Sequence, residues 1–247
     1  MQQPLGGELA LTAELAHFLL GQPIAPPHHF GIDTFLTVNT VLGGFPVVEV
    51  YLTQKTHNKK GFTELRGMVL ECFDELCKQI AFHGRHRRMP VEVEKGTLVT
   101  ALSKERAPER IGEDVRTLQY VNLDEQLEHC FTFVRGLGEL LEARLGELGV
   151  SEAEQALVLA LCDEDEEGFH KRSAELNARR WVPLVDQLAR GYIERGFSPV
   201  YHDAIFVCWQ LRALSFALHE AQNFEAAEEN TDGQARYAYE YGARYRL

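Results

Sequence analysis

The sequence predicts an α+β chain, with a mixed α/β portion over residues 1–102 and an all-helical portion over residues 103–247. Three observations carry this prediction. Pro46-Val47-Val48-Glu49-Val50-Tyr51-Leu52 is β-branched and alternating, the pattern of a strand. Residues 90–102 are short and extended in character. After Asn122 the apolar residues recur at helical spacing to the end of the chain.

Taken in order, Leu9 to Leu20 forms a helical stretch that Thr12 can cap, and Gly21 with Pro23 stops it. Pro23 to Pro27 is a rigid loop. Residues 32–42 return to helical spacing, with Ile32, Phe35, Leu36 and Asn39 on one side and Gly43-Gly44 as the stop. The strand over residues 46–52 leads into a polar loop, Thr53 to Gly61. Leu65, Met68, Val69, Cys72, Leu76 and Ile80 then mark a helix over residues 62–82. Residues 103–112 are a charged connector. Leu127, Phe131, Val134, Leu137, Leu141 and Leu145 form one apolar stripe ending at Gly149. Ser151-Glu152-Ala153-Glu154 has the capping-box pattern for the next helix. Two further amphipathic stretches cover about residues 181–195 and 203–228, and Trp181 and Trp209 within them are expected in the core. The tail from Gln234 is rich in Tyr and Arg.

Composition narrows the function. The 247 residues are 45% hydrophobic and 25% charged, an ordinary globular mix. A net charge of −12 argues against nonspecific nucleic-acid or anionic-membrane binding. No apolar run reaches the length of a membrane span, and the first 30 residues lack signal-peptide character. Five cysteines without metal-ligand spacing fit free thiols acting as small hydrophobes in a reduced, cytoplasmic setting. The basic run His83-Gly84-Arg85-His86-Arg87-Arg88 reads as a solvated loop or, functionally, as an anion contact.

Four places could carry chemistry. The glycines of Leu5-Gly6-Gly7-Glu8 expose backbone N–H groups just before a helix, where a ligand can approach closely; the same pair also suits an ordinary tight turn. Asp33, after Gly31 at a helix start, complements the helix dipole and could equally accept hydrogen bonds from sugar or acceptor hydroxyls. His57 lies just past the strand end, where α/β folds place ligand contacts; it reads either as an ordinary exposed loop histidine or, with carboxylate partners elsewhere, as a neutral imidazole ligand of a divalent ion such as Mn²⁺. Lys59 and Lys60 beside it could neutralise a diphosphate leaving group. Neither a nucleophile motif nor a Walker or GxGxxG loop is present.

Read together and in order, Gln3-Pro4-Leu5-Gly6-Gly7-Glu8-Leu9, Gly31-Ile32-Asp33-Thr34, Thr56-His57 and Leu65-Arg66-Gly67-Met68-Val69-Leu70-Glu71-Cys72-Phe73 resemble the second half of the mannosylglycerate synthase family. The likeness continues more faintly through Pro90-Val91-Glu92-Val93, the region of Trp209 and Arg244-Tyr245-Arg246. It is tight over residues 2–73, and its motifs overlap those of glucosyl-3-phosphoglycerate synthases. The resemblance implies a GT-A glycosyltransferase that moves mannose from GDP-mannose to D-glycerate with retention, using a divalent cation (Mn²⁺ or Mg²⁺). In the family an Asp-x-Asp motif and one histidine hold the metal, and the histidine matches His57. Leu5, Gly6, Gly7, Glu8 and Asp33 match the acceptor and sugar pocket, while Asn58-Lys59-Lys60 departs from the family's tyrosine-containing stretch. With no βα unit ahead of Gly6-Gly7, the chain is expected to be the C-terminal part of such an enzyme. It is expected to be inactive alone, and to form a homo-oligomer or pair with an N-terminal nucleotide-binding half. A non-catalytic interaction subunit is the alternative.

Overall fold

The computed structural model describes residues 9–46, 61–86 and 123–219. Among these, every regular element is helical. The expected α+β class is therefore corrected to all-α for the described residues. The strand expected over 46–52 and the extended stretch over 90–102 lie outside them, apart from Pro46 itself, which is in no regular element. The chain divides into two compact units: residues 1–56 with 67–108, and residues 57–66 with 109–247.

In the first unit, α1 (Ala13–Leu20) begins as expected, with Thr12 Oγ1 accepting from the Leu15 N–H at 3.2 Å. α2 (Gly31–Leu42) follows the Pro23–Pro27 loop. Leu15, Leu19 and Phe35 form the buried core between them, flanked by Phe18, Ile24, Ile32, Leu36 and Phe45. The Phe18 and Phe45 rings meet at 5.0 Å. α3 (Arg66–His86) starts after a 3₁₀ turn at Thr63–Leu65. It runs four residues beyond the end expected from the sequence. The basic run is thus not wholly a loop: His83 is buried within α3. It lies four residues after Gln79 and eight after Glu75, so the polar face of the helix carries it inward.

The second unit is built from six helices among the described residues: α4 (Leu123–Arg135), α5 (Gly138–Glu147), α6 (Glu152–Asp163), α7 (Glu166–Arg172), α8 (Ala178–Glu194) and α9 (His202–His219). α9 is the central one, packing on α4, α5 and α6. Its residues Ala204 to Cys208 are consecutively buried, as a helix surrounded by others must be. The stripe from Leu127 to Leu145 is not one helix. Gly136 and Gly138, the latter at φ +34°, break it into α4 and α5 while keeping Val134, Leu141 and Leu145 in the core. Ser151 sits at the N-cap of α6 but makes no side-chain cap bond. Its N–H instead donates to Gln187 Oε1 at 2.7 Å, and Glu154 pairs with Arg180 at 3.3 Å. Tertiary partners thus outcompete the expected capping box. Trp181 and Trp209 are half-buried rather than core residues. Cys77, Cys130, Cys162 and Cys208 are free and buried, as expected.

Candidate functional site

Asp33 is the site residue from the sequence that the structure describes. Leu5, Gly6, Gly7, Glu8, His57, Lys59 and Lys60 lie outside the described residues. Asp33 occupies the first turn of α2 and is half-buried. Phe30 occupies the N-cap without a side-chain cap bond, and the chain entry is held by α3 instead.

Glu71 and Cys72 of α3 make that attachment. Glu71 Oε2 accepts from the Phe30 N–H at 3.1 Å, and the Cys72 thiol donates to the Phe30 carbonyl at 3.5 Å. The Gly31 N–H donates to His29 Nδ1 at 3.1 Å. His29 Nδ1 also lies 3.6 Å from Glu71 Oε2. Burial raises the Cys72 thiol pKa; a hydrogen bond with Thr34 opposes this, and the charges of Asp33 and Glu71 add to it. Asp33, Thr34 and Glu71 therefore all act on Cys72, and the helix start that carries Asp33 is seated on this turn of α3.

Gly31 explains itself in this geometry. A Cβ there would lie 2.8 Å from His29 Cε1, 2.9 Å from Glu75 Cβ and 3.0 Å from the Glu71 carbonyl oxygen. The glycine of Gly31-Ile32-Asp33 is thus required by close packing of α2 on α3. Gly31→Ala is expected to cost about 1–3 kcal/mol of stability, read as a lower urea midpoint at unchanged slope.

Behind Asp33 runs a buried polar string. Asn39 is 2% exposed, Gln79 1% and Glu75 2%. Asn39 Nδ2 donates to Gln79 Oε1 at 3.1 Å and to the Phe35 carbonyl at 2.9 Å, and Gln79 Nε2 donates to Glu75 Oε1 at 2.6 Å. The side-chain bonds run from Asn39 through Gln79 to Glu75. Burial raises the Glu75 pKa above the usual carboxylate range, partly offset by the Gln79 bond and Lys78. Its stabilising contribution is therefore complete below the ordinary Glu pKa and is lost as pH rises through the raised value. Relative to wild type, Glu75→Gln is expected to gain stability between pH 4 and pH 7; urea melts at both values check this.

Among the described residues, no group of three or more His, Cys, Asp or Glu side chains is arranged to hold a metal ion. A literal Asp-x-Asp does occur at Asp163-Glu164-Asp165. Its geometry is structural: Asp165 Oδ1 caps α7 by accepting from the Gly168 N–H at 2.8 Å, and Glu164 pairs with Arg172 at 3.0 Å. No described helix is long and apolar enough to cross a membrane.

Residues 1–78, which contain α2 and most of α3, match the family model described as the mannosylglycerate synthase GT domain. The full chain is 25% identical to a mannosylglycerate synthase of Rhodothermus marinus over 258 aligned positions, covering 100% of the chain and 55% of the relative. A mannosylglycerate synthase of Selaginella moellendorffii is 38% identical over 79 residues, 31% of the chain and 19% of the relative. The chain thus spans about half the length of the Rhodothermus relative, and the Selaginella match is confined to a shorter stretch. No solved structure gives a significant match.

Proposed function

We propose that the chain supplies the acceptor side of a retaining glycosyl transfer from GDP-mannose to D-glycerate. The observation that supports this best is the coincidence of the family match over residues 1–78 with a half-buried Asp33 held firmly at the start of α2. In the reaction, the bond from the anomeric carbon to the diphosphate oxygen breaks and one to an acceptor hydroxyl oxygen forms. The hydroxyl proton leaves, and GDP departs. Such a transfer depends on positioning and on stabilising the leaving charge more than on a strong nucleophile.

Within this reading Asp33 accepts hydrogen bonds from acceptor or sugar hydroxyls, and the Leu5-Gly6-Gly7-Glu8 segment lines the same pocket. His57 is the proposed ligand of a divalent cation, Mn²⁺ or Mg²⁺, which would neutralise the diphosphate when bound; Lys59 and Lys60 add to that neutralisation. The described residues offer no ligand cluster of their own, so the cation's remaining ligands are assigned elsewhere. Donor recognition is assigned to the part of the family that the matched half does not include.

The test is a donor and acceptor screen with and without Mn²⁺ or Mg²⁺, on the chain alone and on the chain joined to the donor-binding half of a relative. The joined protein is expected to make mannosylglycerate and the chain alone to make none. His57→Ala is expected to raise the metal concentration needed for half-maximal rate, with excess metal restoring part of the activity. Transfer by the chain alone, or a metal dependence unmoved by His57→Ala, would contradict the respective assignment.

A further inference from the structure

Residues 61–66 are part of the family-matched segment, yet the partners they hold lie on helices far along the chain. The Phe62 N–H donates to Gln126 Oε1 of α4 at 2.7 Å, 64 residues away. Gln126 is buried, and Gly61 leaves it room: a Cβ at Gly61 would stand 3.0 Å from that same Oε1. Arg66 Nη2 donates to Asp203 Oδ1 of α9 at 2.7 Å, across 137 residues of sequence. The Arg66 guanidinium also lies 6.0 Å over the Phe206 ring. The Phe62 ring meets Trp209 edge-on at 6.0 Å, and Trp209 stacks on Phe206 at 5.7 Å and 11°. Within the turn, the Gly61 N–H donates to Glu64 Oε2 at 2.8 Å, and backbone bonds Glu64 N–H to Gly61 O and Leu65 N–H to Phe62 O close it.

These contacts differ in kind and converge on one six-residue turn. A buried amide acceptor fixes its backbone, an aromatic pair fixes its Phe62 ring, and a charge-assisted hydrogen bond fixes its far end. Each reaches a different position on α4 or α9, so the turn is restrained in rotation as well as in place. None of these partners lies within residues 1–78. Helical packing alone does not require Gln126: a leucine would serve the core of α4 as well, whereas only an acceptor satisfies the Phe62 N–H.

We infer that Gln126, Asp203 and Trp209 are positioning residues by which the helical unit carries the Gly61–Arg66 turn of the glycosyltransferase segment. Lys60 is bonded directly to Gly61, so the turn is the fixed end of the stretch that bears His57, Lys59 and Lys60. The functional consequence rests on the reading of those residues given above; the anchor itself does not.

The experiment is hydrogen exchange by mass spectrometry on the full chain, comparing wild type with Gln126→Ala, Asp203→Ala and Gln126→Glu. In the two alanine variants, peptides covering residues 61–66 are expected to exchange faster by about fivefold or more, while those of α5 to α8 keep their protection. At pH 8 Gln126→Glu, which still presents an acceptor oxygen, is expected to restore the protection of the Phe62 amide. Unchanged exchange at residues 61–66 would overturn the inference. So would loss of protection across the whole helical unit in both alanine variants, because these side chains would then serve the bundle core. A metal dependence unmoved by His57→Ala would retire the metal assignment while leaving the anchor standing.

Discussion

Replacing Gly191 by alanine is expected to lower the thermal midpoint of the helical unit by about 6–12 °C, the equivalent of about 3 kcal/mol. Gly191 lies in α8, and a Cβ placed on it would overlap the Leu148 carbonyl oxygen. The carbonyl carbon and Cα of Leu148 would be 2.6 and 2.7 Å away. These are backbone atoms at the C-cap of α5, so no side-chain rotation can relieve the overlap. Either α8 moves off the end of α5 or the end of α5 unwinds. Both outcomes disturb Leu145, Leu148, Leu188 and Tyr192, which are almost fully buried there. Calorimetry on the purified variant checks the prediction. An unchanged midpoint would mean that α5 and α8 do not cross so closely.

The second large effect is expected at Phe35. Its side chain is wholly buried and packs with Leu15 and Leu19 in the core of the first unit. Truncation to alanine is expected to cost about 3–5 kcal/mol, because three helical turns and a loop cannot collapse fully into the space left behind. Phe35 is two residues from Asp33, and its carbonyl receives a hydrogen bond from Asn39. Loss of this core therefore also loosens the turn that carries the carboxylate. Exchange protection of α1 and α2 measures the effect, with Phe35→Leu retaining most of the stability.

Much of the local structure was legible from residue pattern. The Thr12 cap and the glycine stop at Gly21 are local signals, and each produces the helix end it announces. The apolar period over residues 65–80 announces α3 but not its buried face, which is Leu70, Glu75, Cys77, Gln79 and His83, with Ile80 exposed. What the pattern could not carry was tertiary choice. Ser151 has a capping-box partner three residues on, but Glu154 finds Arg180 and the Ser151 N–H finds Gln187, both on α8. The apolar stripe from Leu127 to Leu145 keeps its phase across a break because Gly136-Leu137-Gly138 turns the chain without losing the buried face.

The candidate site divides in the same way. Asp33 was found by its position after a glycine at a helix start, a local cue. The reason for that glycine was not local: Glu71 and Glu75 press on it from 40 and 44 positions further along. The Glu75–Gln79–Asn39 string and the Gln126 and Asp203 anchors were missed for a related reason. A buried polar residue looks like a surface one until its partner is known, and these partners lie 40, 64 and 137 residues apart in sequence. Order and spacing across a family supplied what single residues could not, and residues 1–78 are where that likeness is carried.

Asp33 gives the most direct test of the central claim that this segment forms the acceptor side of a sugar-transfer site. With the chain joined to the donor-binding half of a relative, mannosylglycerate formation is compared between wild type and Asp33→Asn, which keeps the shape and removes the charge. The account predicts a loss of about 10²-fold in kcat/KM, at an unchanged thermal midpoint. Equal rates for the two proteins, with product formed by both, would contradict it.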